Sequence, residues 1–236
     1  MERLPEFGIW YAVFLFTLTF HEGAHALVAY WGGDDTAYRG GQVSLNPLPH
    51  IRREPFGTVL VPLLTFFMSG WMMGWASAPY DRAWGLRHPR RLAAMSAAGP
   101  AANLILAVVA FVILRMLLGS GYFVAPESVG VSHLVEPSAA AAGSTFAAPL
   151  ALLLSVALSL NLLLGLFNLI PLPPLDGSGV MLGLFPSTIG RFMNAFAGNP
   201  MFSMMGLLVA WRLFDFMFPP AFSFMLALLH PGMGYR

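Results

Sequence analysis

Long apolar stretches separated by short polar ones set the rhythm of this chain. Residues 7–31, 92–118 and 148–170 are almost free of charge. Each is long enough, at about 1.5 Å per residue, to cross a hydrocarbon core of roughly 30 Å. Weaker apolar segments occupy 57–77, interrupted by Pro62, Gly70 and Gly74, then about 179–197 and 201–229, the last broken by Pro219-Pro220. The intervening segments are Gly-rich with early charge (32–56), Arg-rich (78–91) and Ala/Gly/Pro/Ser-rich (119–147). Within the first of them, Gln42-Val43-Ser44-Leu45-Asn46 alternates polar and apolar residues between turn-forming neighbours, which predicts a short strand in a β-like hairpin. No internal repeat or separate soluble domain is evident. The pattern predicts an all-α polytopic membrane protein with about five to six membrane segments. They form a single embedded domain over 1–236, with a core over about 7–180 and accessory helices over about 181–236.

Composition agrees with this. The chain is 57% hydrophobic and only 10% charged, against roughly 25% charged in a soluble domain, so too few polar groups remain to coat a water-facing surface. There is no cysteine, which excludes a disulfide framework and a thiolate metal site. A net charge of +1, without a long basic run, gives no reason to expect a nucleic-acid partner. The first apolar stretch exceeds the 7–15 residues of a usual signal-peptide core and is expected to remain as a helix.

All twelve basic residues are arginine, and their placement predicts topology. Segment 32–56 carries Arg39, Arg52 and Arg53; segment 78–91 carries Arg82, Arg87, Arg90 and Arg91; segment 119–147 carries none. If 57–77 dips into the bilayer and returns, all seven arginines share one side, the arrangement that the positive-inside rule favours. The N-terminus then lies outside, 32–91 is cytoplasmic, and Asp176 lies near the cytoplasmic face.

The first apolar stretch contains His21-Glu22-Gly23-Ala24-His25. From Phe7 to Trp31 these two histidines and Glu22 are the only ionisable side chains apart from the tyrosines Tyr11 and Tyr30, which stay neutral well above pH 7. Histidines four apart lie on one helical face, where they can grip one zinc ion, and the glutamate suits a general base. A chance match with carbonyl-bonded histidines is the competing reading. An ionisable group inside a membrane helix is costly, which favours the functional one. A catalytic zinc usually takes three protein ligands and water. Residues 26–33 hold no further His, Asp or Glu. Asp34 and Asp35 read as solvated loop charges, and Asp215 has Arg212 three residues before it as a helical ion-pair partner. Asp176 has no basic neighbour in sequence and follows a Pro-rich break. It reads either as a third ligand or as part of an Asp-Gly turn.

These motifs together resemble the site-2 protease family of intramembrane zinc metalloproteases. The resemblance rests on HEGAH in the first core helix and on Asn168-Leu-Ile-Pro171-Leu-Pro173-Pro174-Leu-Asp176-Gly177, which matches that family's N-x-x-P-x-P-x-L-D-G segment. Gly99-Pro100-Ala-Ala-Asn103, Asn46-Pro47-Leu48-Pro49-His50 and Pro55-Phe56-Gly57-Thr58 extend it over about residues 17–180. The chain departs from the family pattern at Ser178, where a second glycine is common, and at Arg52-Arg53-Glu54, which fills a usually shorter stretch ending in Asp-Pro. The match points to the small prokaryotic type, without a PDZ-like insertion or a nucleotide-sensing domain.

The resemblance implies a three-helix catalytic core in which His21, His25 and Asp176 bind one zinc ion and Glu22 acts as the base. It implies an intramembrane endopeptidase in the prokaryotic cytoplasmic membrane, acting on transmembrane segments of membrane-anchored, often regulatory, proteins. His21, roughly 15 Å from the helix end at Trp31, suits access from the cytoplasmic side. Asn161 and Asn168, two helical turns apart, are candidates to hold substrate backbone or polarise its carbonyl, with interhelical bonding as the competing role. Asn103 reads as packing near Gly99, and His50 as a loop residue beside the site. The Gln42–Asn46 strand would offer an edge to an extended substrate. A di-iron oxidase would need several histidine clusters and a zinc transporter would need polar groups on several helices. A catalytically silent relative that binds membrane proteins is opposed by the intact Glu22. The sequence leaves substrate identity and oligomeric state open.

Overall fold

A computed structural model of the protein describes residues 3–190 and 200–235. Among the described residues, four helices are long and apolar enough to cross a membrane, within α1 (Arg3–Trp31), α6 (Pro89–Gly119), α7 (Ala147–Asn168) and α9 (Pro200–Leu229). Between them lie the short α2 (Thr36–Arg39), α3 (Pro47–Arg53), α4 (Val61–Ser69), α5 (Arg82–Arg87) and α8 (Asp176–Leu184). Helices α1, α6 and α7 pack as the central layer, with α8 against α6. Lipid tails are as apolar as leucine, so association in a bilayer depends on close fit and on small residues that let helices approach. On α8, a Cβ at Gly179 would collide with Ser96, and one at Gly183 with Pro89 and Ala93 of α6. On α7, Gly165 gives the same access to Leu104 and the Pro100 carbonyl.

The segment after α3 doubles back on itself against α1 and α7. A π-helical turn at Phe56–Leu60 leads into α4, which stops at Gly70 in the left-handed conformation (φ 81°). Only glycine adopts that backbone without strain. The chain then returns extended. The Met73 amide donates to Thr65 Oγ1 (3.0 Å) and the Trp75 amide to the Gly57 carbonyl (3.1 Å). Trp10, Phe14 and Leu18 of α1 bury this hairpin through Phe66 and Met72, together with Val156 and Leu160 of α7.

Its return brings the two Arg-bearing segments together, as the re-entrant reading requires. Asp34 Oδ2 accepts the Asp81 amide (2.8 Å) and Ser77 Oγ donates to Glu54 Oε1 (2.8 Å). The Gly32 carbonyl accepts from Trp84 Nε1 and Arg91 Nη1, each at 3.0 Å. Asp34 is thus no solvated loop charge. It is 4% exposed and also takes the Thr36 amide and hydroxyl. Asp35 does face solvent, paired with Arg39.

Three expectations change in detail. Residues 42–46 form no strand. Asn46 instead caps α3 by accepting the Leu48 amide, and the prolines at 47 and 49 have no N–H for a ladder. The small sheet lies elsewhere, where β1 (Phe123–Val124) pairs antiparallel with β2 (Glu136–Pro137). Helix α9 runs through Pro219-Pro220 unbroken, the freed carbonyls being tolerable in a membrane helix, while Phe218 stacks on Phe214 before the prolines and on Phe222 across them. Of the apolar segment expected over 179–197, the first part is α8, and residues 191–199 lie outside the described residues.

Candidate metal centre

The site is assembled from α1, α6, α7 and the start of α8. His21 and His25 project from one face of α1, one turn apart, with Nε2 atoms separated by 3.0 Å. Asp176, the first residue of α8, brings Oδ2 to 3.1 Å from His21 Nε2 and 3.3 Å from His25 Nε2. Both histidines and Glu22 are buried, at 6%, 6% and 5% exposure. The aspartate is delivered by the Pro171–Leu175 turn, which α9 clasps so closely that a Cβ on Gly206 would collide with the Pro173 carbonyl. Opposite, Gly99 of α6 makes room for the imidazoles, since a Cβ there would collide with Nε2 of both histidines.

Hydrogen bonding fixes which ring nitrogens carry protons. His25 Nδ1 faces the Met95 carbonyl at 2.7 Å. A carbonyl only accepts, so this nitrogen is the N–H and Nε2 of the neutral ring is bare. The assignment for His21 runs through three residues. The Ala157 carbonyl accepts from Asn161 Nδ2 (2.8 Å), whose other hydrogen goes to Thr17 Oγ1 (3.0 Å). That orientation turns Asn161 Oδ1 toward Asn103 Nδ2 (3.0 Å). Asn103 Oδ1 then faces His21 Nδ1 at 2.5 Å, which makes that nitrogen a donor too.

With both rings neutral, two bare imidazole nitrogens and a carboxylate oxygen converge here, an arrangement that a cation among the three relieves. A tetrahedral zinc with bonds of about 2.0–2.2 Å sets its ligand atoms about 3.3 Å apart, close to the three separations found. All candidate ligand atoms lie within 4.8 Å of one another, and this is a group able to hold a metal ion. The donor set fits zinc.

Asn161, expected to face substrate, spends both amide hydrogens inside the bundle and is 2% exposed. Asn103, read from sequence as packing alone, instead touches His21. Only an amide three residues beyond a Gly-Pro pair marked it in the sequence. Asn168 is half-buried at the end of α7, its Nδ2 donating to the Leu164 carbonyl (3.1 Å). The Ser44 carbonyl lies over Gly23, 3.3 Å from where a Cβ would stand. The buried His50 approaches the same oxygen through Nε2 (3.4 Å), so the loop before α3 roofs the Glu22-Gly23 turn.

Apolar spans around a buried two-histidine, one-carboxylate cluster make this a membrane protein with a candidate metal centre. The family model described as Peptidase family M50, the site-2 protease family, matches residues 9–211, and the chain belongs to that family. It is 38% identical over 180 residues to the Bacillus subtilis (strain 168) protein named "Putative zinc metalloprotease YwhC", covering 75% of this chain and 69% of that one. No solved structure matches the chain. It is a zinc-dependent, multi-pass membrane protease.

Proposed function

We propose that the protein is an intramembrane endopeptidase in which His21, His25 and Asp176 hold one zinc ion. The observation that carries this reading is the convergence of His21 Nε2, His25 Nε2 and Asp176 Oδ2 at separations of 3.0, 3.1 and 3.3 Å. A zinc ion held there supplies Lewis acidity, polarising a peptide carbonyl and lowering the pKa of a water toward about 7. Glu22, buried one residue from His21, takes the proton released by the attacking water on its carboxylate and returns it to the departing amine. The Met95 carbonyl and Asn103 hold the imidazoles in the tautomer that leaves Nε2 bare. Asn168 is partly exposed on the same helix end that leads to Asp176, and we assign its amide to the substrate backbone. Asn161 supports Asn103.

The substrates are membrane-anchored proteins cut in or near a transmembrane segment. Access is from the cytoplasmic side of a cell membrane, a reading supported by the seven arginines of the two joined segments. The testing experiment is cleavage of a model single-span protein by the purified chain in bilayers. Glu22→Gln should slow cleavage about 100-fold or more without loss of zinc. Cleavage at an undiminished rate would remove Glu22 from the chemistry.

A further inference from the structure

Helix α9 carries two charges in an otherwise apolar sequence, Arg212 and Asp215. Both are exposed on the outer surface, away from the core. Their depth is fixed by their neighbours. Ala210 and Phe214 of α9 pack on Ile170 and Leu175, the turn that delivers Asp176, so the two charges lie beside the layer of the metal cluster. Although their spacing permits an ion pair, they form none with each other or with any other described residue. A charge presented to hydrocarbon at that depth is costly and marks a functional surface.

The surrounding pattern says what the surface fits. Met205, Leu208, Arg212, Asp215 and Pro219 follow one another at spacings of three, four, three and four residues, and all are exposed. Alternating spacings of three and four make the seam along which two helices cross in a left-handed pair. The seam carries one positive and one negative group, so it complements itself under a two-fold axis along the membrane normal. The two groups stand about 4.5 Å apart along the axis, three residues at 1.5 Å each, a distance that an arginine side chain spans. We propose that the outer face of α9 is a homodimer interface. Arg212 of each copy pairs with Asp215 of the other, so that both charges are neutralised within the bilayer. A heteromeric partner would need its own base and acid at these two depths, whereas a second copy supplies them by symmetry.

The absence of cysteine makes the test direct. Single cysteines are placed at Leu208, on the seam, and at Leu213, exposed on a different face of α9, and oxidised in bilayers. Disulfide-linked dimers are expected at 208 and at least tenfold less at 213. In the cysteine-free chain, Arg212→Asp and Asp215→Arg, made singly, are each expected to convert dimer to monomer. The double exchange Arg212→Asp/Asp215→Arg should restore it. Helicity and thermal midpoint, followed in every variant, identify one that fails to fold, and the cross-linking of Leu208→Cys then stands alone as the test. A monomeric native chain, equal cross-linking at 208 and 213, or folded single variants that remain dimeric would overturn the proposal. None of these readouts depends on zinc or cleavage, so the interface fails or stands separately from the protease reading.

Discussion

Asn103 and His21, 82 residues apart in sequence, meet in a 2.5 Å contact between the amide oxygen and the imidazole Nδ1. The contact is fully buried, and it leaves Nε2 as the only nitrogen of His21 able to bind a metal. An outer-shell partner of this kind typically contributes 10–100-fold to metal affinity. Asn103→Leu should therefore weaken zinc binding by about that factor, measured by chelator competition at unchanged helicity. Asn103→Asp keeps an acceptor oxygen and should recover most of the loss. Unaltered affinity in the leucine variant would contradict this role.

Asn161 acts one bond further out. If its amide only orients Asn103, Asn161→Ala should lower zinc affinity less than Asn103→Leu does and leave KM unchanged at saturating zinc. A raised KM with normal zinc affinity would instead place this amide on the substrate.

Gly99 is constrained by the space the imidazoles occupy rather than by its backbone. A methyl group at this position would meet both Nε2 atoms. Gly99→Ala should thus expel the metal while the far-ultraviolet circular dichroism of the helices persists. Stoichiometric zinc in a folded Gly99→Ala protein would show that the ligand cage can widen.

The hairpin makes a topological prediction. Thr36 and Arg87 belong to segments stapled through Asp34 and Asp81. Single cysteines at the two positions should react with an impermeant reagent from the same face of sealed vesicles. Labelling from opposite faces would mean that 57–77 crosses the bilayer completely.

Much of this was legible in the sequence because length and local spacing carry it. Three long helices, the His21/His25 pair and the reversal at 57–77 follow from apolar runs, helical periodicity and arginine placement. What was not legible depends on contacts between distant segments. The alternation at Gln42–Asn46 resembles a strand, but no partner strand lies beside it among the described residues and the Asn46 cap starts a helix instead. Asp34 looked like a surface charge because its partner, the Asp81 amide, comes 47 residues later. The roles of Asn103 and Asn161 depend on the order in which α1, α6 and α7 are packed. Proline reads as a helix breaker in water, whereas α9 continues through Pro219-Pro220.

We propose that three side chains from two distant segments hold one zinc ion for which Glu22 is not a ligand. The most direct measurement is zinc per chain, by elemental analysis, in the purified native protein and in Asp176→Ala and Glu22→Gln variants of equal helicity. One zinc is expected in the native chain, one in Glu22→Gln and essentially none in Asp176→Ala. A well-folded native chain without zinc, or an Asp176→Ala chain that holds it as tightly as the native one, would contradict it.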